Sequence, residues 1–292
     1  MSTAANVAYK PLHVIVNADD FGITRTATDA IVRCHEAGSV TSTSFMSTLE
    51  AAAYAAEAAR SVPELGIGLH FNLTLGEPAC APRKVASLLG PDGRFLSRGG
   101  ILSRAARCGL SLAEIEAELV AQWQRMRDLG LSPTHIDSHQ HVHALAPQVY
   151  RVVARFAAQQ RLPLRVPWRW RGRAHNASLK RKVKVQALHA VCGVGRALAP
   201  RVPSNDGFCS VFDLNVPPAS LTHASYLELL APYRSGCVEL MVHPAENDAE
   251  LATKTAIGAV SGRELELLAS PAFAEALRAR NIRLVTYRHL TP

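Results

Sequence analysis

No run of eighteen consecutive apolar residues occurs in this 292-residue chain, so no membrane-spanning helix is expected. Residues 1–11 hold one basic residue, Lys10, and lack the apolar core of a secretory leader, which points to a cytoplasmic protein. The six cysteines, at 34, 80, 108, 192, 209 and 237, include no C-x-x-C pair. That spacing argues for reduced thiols and against a disulfide framework. Gly-x-Ser-x-Gly, His-Glu-x-x-His and Gly-x-x-x-x-Gly-Lys are all missing, which disfavours the common serine-hydrolase, zincin and nucleotide-hydrolase classes. One sign of charge is also missing locally: residues 138–205 contain no Asp or Glu but thirteen Arg and Lys, within a chain of net charge +8. Such a stretch is either a solvated basic face or a surface for an anionic partner: a phosphate-bearing substrate, nucleic acid or an acidic membrane.

What is present suits a globular protein with a sizeable core: 48% hydrophobic and 19% charged residues. Apolar β-type runs alternate with helix-length segments from end to end. Strands are expected over 13–17, 40–46, 65–71, 134–138, 164–166, 238–242 and 282–287. Helices are expected over 25–37, 49–60, 111–129, 147–160, 178–198 and 261–280. Ser111 with Glu114, and Ser261 with Glu264, have capping-box spacing. Gly66 and Gly68 suggest a close backbone approach to their strand. Residues 76–109 read as a Pro/Gly-rich insertion over the strand ends, and 168–205 as a basic insertion. Strand–helix alternation implies parallel βαβ units in a single α/β domain spanning 1–292, either a (β/α) barrel or an open doubly wound sheet.

Polar clusters follow several of these strands. Asn17-Ala18-Asp19-Asp20-Phe21-Gly22 offers adjacent carboxylates, Gly68-Leu69-His70-Phe71-Asn72-Leu73 offers one histidine, and Met241-Val242-His243-Pro244 another. The richest is Thr134-His135-Ile136-Asp137-Ser138-His139-Gln140-His141-Val142-His143. In an extended segment His139, His141 and His143 would project to one side. Neutral imidazole is the commonest metal ligand and a natural proton carrier. Two histidines and a carboxylate, with positions left for water and substrate, would make an open metal site that acidifies water and polarises a carbonyl.

Taken together, in this order and spacing over residues 12–287, these segments resemble the YdjC-like carbohydrate deacetylases. The resemblance implies a distorted (β/α) barrel related to polysaccharide deacetylases, removing acetyl from an N-acetylated amino sugar. It implies Asp20, His70 and His139 as ligands of one divalent metal, zinc being favoured and magnesium, manganese or cobalt able to substitute. Asp19 would be the base and His243 the acid; Arg165, in Arg165-Val166-Pro167-Trp168, would orient the base. Asn72, His141 and His143 would lie behind the ligands or face the substrate. Trp168, Arg169, Trp170, Arg171 and Arg173, followed by Lys180, Arg181, Lys182 and Lys184, favour a lipid-linked or polyprenyl-phosphate-linked N-acetylhexosamine and peripheral contact with an anionic membrane. A soluble chitooligosaccharide, a metal phosphoesterase and a basic nucleic-acid-binding protein are the alternatives. Nothing resembling a nucleic-acid recognition motif supports the last.

Overall fold

The computed structural model describes residues 11–167, 179–214 and 216–291. Trp168–Arg173 and the side chains of Lys180, Arg181, Lys182 and Lys184 lie outside this description. The elements run β1 (Leu12–Phe21), α1 (Arg25–Glu36), β2 (Ser42–Phe45), α2 (Ala52–Ala59), β3 (Gly66–Phe71), α3 (Arg98–Ala106), α4 (Leu112–Asp128), β4 (Ile136–Ser138) and α5 (Pro147–Gln160). They continue with α6 (Leu179–Ala197), β5 (Gly207–Ser210), α7 (His223–Leu230), β6 (Gly236–Val242), α8 (Ala249–Lys254), α9 (Gly258–Leu268), α10 (Pro271–Arg278) and β7 (Ile282–Leu284).

Among the described residues the strands form one parallel sheet in the order β4-β3-β2-β1-β6-β5, with β7 added to the N-terminal half of β1. Strands buried on both faces need continuous apolar runs, and β1 is buried along almost its whole length. The sheet curls until its edges approach each other. Segment 163–166 bridges them: Arg165 N–H donates to Ile136 on β4, and Leu164 N–H to Pro203 just before β5. Asn205 completes this seam by accepting from Val166 N–H at 2.7 Å and donating to the Val166 and Gly207 carbonyls. The result is a single-domain, distorted (β/α) barrel with helices outside, as the sequence resemblance implied.

Local chemistry accounts for most helix ends. Thr24 caps α1 by accepting from Ala27 N–H, and Ser111 caps α4 by accepting from Glu114 N–H. Pro147 opens α5, where a missing N–H costs nothing. The capping box expected at Ser261 is absent: α9 begins at Gly258, and both Ser261 and Glu264 are buried. The expected helix over 261–280 is instead two helices, broken where Ser270 caps α10 ahead of Pro271. Expected strand 164–166 is reduced to a single bridge, Leu164 to Ile136. The last strand stops at Leu284, with Tyr287 in a 3-10 turn. The stretch 76–109 contains α3 as well as irregular chain, and buried Glu118 of α4 pins its start by accepting from Ala79 and Cys80 N–H.

Gly68 meets the expectation of close approach. A Cβ there would lie 2.3 Å from the ring of buried His135, which stacks on Tyr287 with ring centroids 3.8 Å apart. Both rings are walled in, so they cannot withdraw. Gly68→Ala should therefore destabilise the fold by about 1–3 kcal/mol. Denaturant titration checks this; an unchanged midpoint would show that the ring layer can yield.

Candidate metal centre and catalytic site

The polar clusters meet at the C-terminal ends of β1, β3, β4 and β6, the face where a (β/α) barrel holds its reactive groups. Adjacent residues on a regular strand point to opposite sides, yet Asp19 and Asp20 both face the barrel interior. The register of β1 against β2 shifts between Ala18 and Phe21, and Asp20 adopts φ 72°. That bulge re-aims the pair. Gly22, at φ 91°, completes the turn where a Cβ would come within 3.3 Å of Ala55.

Asp20 Oδ1 lies 2.9 Å from His139 Nδ1 and 3.2 Å from His70 Nε2. The other nitrogen of His70 donates to Asp137 at 2.7 Å. Asp137 in turn accepts from the Ser44 hydroxyl and, at 2.8 Å, from Arg165. Arg165 is fully buried and grips both oxygens of Asp19, through Nη1 at 2.7 Å and Nη2 at 2.5 Å. Its Nε donates to Glu239 at 2.8 Å, and the Tyr287 hydroxyl donates to the other Glu239 oxygen. Asn17 also donates to Asp19 Oδ1, at 2.9 Å. His243 Nε2 stands 4.0 Å from Asp19 Oδ2.

The electrostatics follow from this crowding. Three carboxylates, on Asp19, Asp137 and Glu239, are buried around one guanidinium, and a fourth, on Asp20, lies against His70 and His139. Burial would raise the Asp20 carboxyl, but His139 and His70 hold it well below the usual range. Burial would lower His70, but Asp137 and Asp19 push it up to about 10. Burial pushes Glu239 up to about 7 even with Arg165 beside it. His243 is lowered by burial, against the pull of Asp19 and Asp20. The cluster is short of positive charge, and its surplus of carboxylates is what raises the basicity of His70.

Among the described residues, two three-residue groups have ligand atoms within 4.8 Å of one another: Asp20, His70 and His139, and Asp19, His70 and Asp137. The first fits a cation better. Asp19 and Asp137 already share the Arg165 guanidinium, and Asp137 occupies the far nitrogen of His70, as a carboxylate behind a ligand imidazole does. His139 Nε2 is buried without a hydrogen-bond partner. Two imidazoles and a carboxylate could thus hold a divalent ion here.

The remaining candidates are placed differently. The segment after Ser138 is not extended: it is a 3-10 turn interrupted by left-handed Gln140 and His141, so His139, His141 and His143 do not share a side. Of the three, only His139 reaches the cluster with Asp20 and His70. His143 is buried beneath it, pairing with the Ser138 hydroxyl at 2.5 Å and the Arg165 carbonyl at 3.2 Å. His141 lies edge-on to Phe208. Asn72 is turned into its own loop, accepting from Thr74 and Leu75 N–H. The sequence pattern assigns no site role to Glu239, Tyr287 or Glu264. A carboxylate inside the apolar run Val238-Glu239-Leu240 was the available signal, since a buried charge needs a partner. Glu264 accepts from His243 N–H at 2.5 Å and fixes the strand end that carries that imidazole.

Fold and site together define a single-domain (β/α)-barrel protein with a buried carboxylate–imidazole cluster at the C-terminal ends of its strands. The chain belongs to the YdjC-like family, whose profile matches residues 13–279. It is 36% identical over 279 residues to a carbohydrate deacetylase of Geobacillus stearothermophilus, covering 95% of this chain and 98% of that one. It is 35% identical over 292 residues to a chitooligosaccharide deacetylase of Proteus mirabilis, with the same coverage. A crystal structure from Enterococcus faecalis, provisionally described as a cellobiose-phosphate cleavage protein, superposes with a TM-score of 0.79 at 28% identity, covering 97% of this chain and all of the other.

The raised His70 makes a signed prediction for the metal-free protein. Its proton contributes stability that is fully present below the ordinary imidazole value of 6.5 and lost as pH rises through about 10. Chelator-treated wild type should lose denaturant resistance over that window more steeply than His70→Asn. Parallel pH profiles for the two would contradict the charge assignment.

Proposed function

We propose that the protein is a metal-dependent amide hydrolase that removes acetyl from an N-acetylated amino sugar. One observation carries this reading: the donor atoms of Asp20, His70 and His139 gather within 4.8 Å beside an Asp19 carboxylate that Arg165 holds by both oxygens. The names of the relatives, carbohydrate deacetylase and chitooligosaccharide deacetylase, support the substrate class. A mixed nitrogen and oxygen donor set suits zinc, with magnesium, manganese or cobalt as substitutes. When bound, such an ion supplies Lewis-acid polarisation of the acetamide carbonyl and acidifies a water.

The protein's own groups then handle the proton. Asp19, oriented by Arg165 and Asn17, takes it from the attacking water. His243 stands 4.0 Å from Asp19, and burial lowers its basicity. It relays the proton that Asp19 has gained to the departing nitrogen as the C–N bond breaks. Water adds its hydroxyl to the acetyl carbon and its proton to the amine, so acetate and a free amino sugar leave. Arg165 acts through Asp19, and Glu239 and Asp137 act through Arg165. The acid-free stretch 138–205 favours a lipid-linked or polyprenyl-phosphate-linked N-acetylhexosamine, met at the cytoplasmic face of a membrane, over a free chitooligosaccharide.

Acetate release from free, polymeric and lipid-linked N-acetylhexosamines tests the proposal. Chelation should abolish turnover and zinc should restore it. His139→Ala should lose both bound metal and activity. Asp19→Asn should keep its metal and lose about 100-fold or more in kcat. Full turnover after chelation, or phosphate release from aryl phosphates without acetate release, would overturn the assignment.

A further inference from the structure

Helix α6 carries apolar residues on a face it turns to solvent. Its packed side is marked by buried Gly195, where a Cβ would fall 2.9 Å from the Cβ of Tyr150 on α5. Away from that side, Leu179, Val183, Ala187, Ala190, Val194 and, just past the helix end, Leu198 are all exposed, Leu179 by 78% and Val183 by 61%. At 3.6 residues per turn these six positions fall within an arc of roughly 100°, forming a stripe about 28 Å long. Scattered exposed apolar residues need no explanation, but an aligned stripe does.

The surrounding charge selects its occupant. Residues 138–205 hold thirteen basic residues and no acidic one, whereas the rest of the chain holds nineteen basic against twenty-four acidic. Arg165 is buried in the site, but Arg151, Arg155 and Arg161 on and after α5, and Arg196 and Arg201, are exposed. Lys180, Arg181, Lys182 and Lys184 belong to the first two turns of α6. A second copy seated on the stripe would bring two acid-free surfaces together across a two-fold axis, opposing association. An anionic bilayer offers an apolar layer beneath a plane of negative charge, which matches both features.

We infer that α6 is an interfacial helix, seating the protein on an anionic lipid surface with its apolar stripe at the headgroup–acyl boundary. Among the described residues no helix is long and apolar enough to cross a membrane, so the contact is peripheral. Helix α6 packs against α5 and against the turn that carries His139, beside the end of the barrel that holds the candidate site. The seat thus brings that end to the bilayer. This link to a lipid-borne amino sugar deepens the proposed function and rests on it; the docking surface itself does not.

Flotation of the full chain with phosphatidylcholine vesicles, with and without phosphatidylglycerol, tests the inference. Anionic vesicles should be bound at least about tenfold more tightly than neutral ones, less so as salt rises. The double variant Val183→Asp, Val194→Asp should lose this binding. Val120→Asp, at an exposed position of α4, should not. Unchanged thermal unfolding and unchanged acetate release from a soluble substrate would show that both variants are folded. No binding to anionic vesicles at low salt, or binding that survives the double variant, overturns the inference. So does a dimer in sedimentation that the double variant dissolves while vesicles are ignored. Vesicle binding without turnover of a lipid-linked substrate would keep the docking surface and remove only the substrate reading. Turnover of a lipid-linked substrate without vesicle binding would do the reverse.

Discussion

The Arg165 guanidinium, fully buried where the barrel seam closes, is the interaction on which the rest of the interior depends. A cation out of water is tolerated only when it is paired and hydrogen-bonded. Here Asp19, Asp137 and Glu239 share that duty, and each belongs to a different strand. The seam, β1, β4 and β6 are thereby tied to one charge at the level of the candidate site. Removing such a partner leaves uncompensated buried charge, a loss of about 3–5 kcal/mol in comparable cases. The same geometry sets reactivity, because it fixes the oxygens of Asp19 and leaves Asp20 to the two imidazoles.

Conformational strain is concentrated at the same end of the barrel. Asp20, Gln140 and His141 all take positive φ, a conformation that side-chain-bearing residues seldom adopt. Each change of direction serves the cluster. The first brings two neighbouring aspartates to one side, and the other two turn the chain away immediately after His139. The layers beneath are stiff in a different way: His135 stacked on Tyr287 and pressed against Gly68, with the Tyr287 hydroxyl on Glu239. Rigid packing below and strained turns above keep the charged groups from relaxing apart.

Much of the architecture was legible from pattern alone, because strands buried on both faces must be apolar and are easily seen, as at 13–17, 65–71 and 238–242. Strand β5 was not, since Gly-Phe-Cys-Ser is short and follows Pro203-Ser204-Asn205-Asp206, which reads as a loop. Only its pairing with β6 and the hydrogen bonds of Asn205 make it a strand. Ser261 and Glu264 misled for a related reason. Their spacing is that of a helix cap, but both are buried, and Glu264 answers to the His243 and Tyr226 hydrogen bonds instead. Tertiary partners outrank local preference where a polar group has no water to fall back on.

By itself the sequence determined the parallel α/β plan, the four polar segments at strand ends and the acid-free stretch of one charge sign, since composition, period and spacing are properties of the chain. Tertiary structure alone decided which histidine of the cluster joins Asp20 and His70, that Glu239 and Tyr287 stand behind Arg165, and that α6 presents an apolar face outward. Those are questions of direction and distance between residues far apart in the chain, and they are settled only when the barrel closes and burial forces every charge to find a partner.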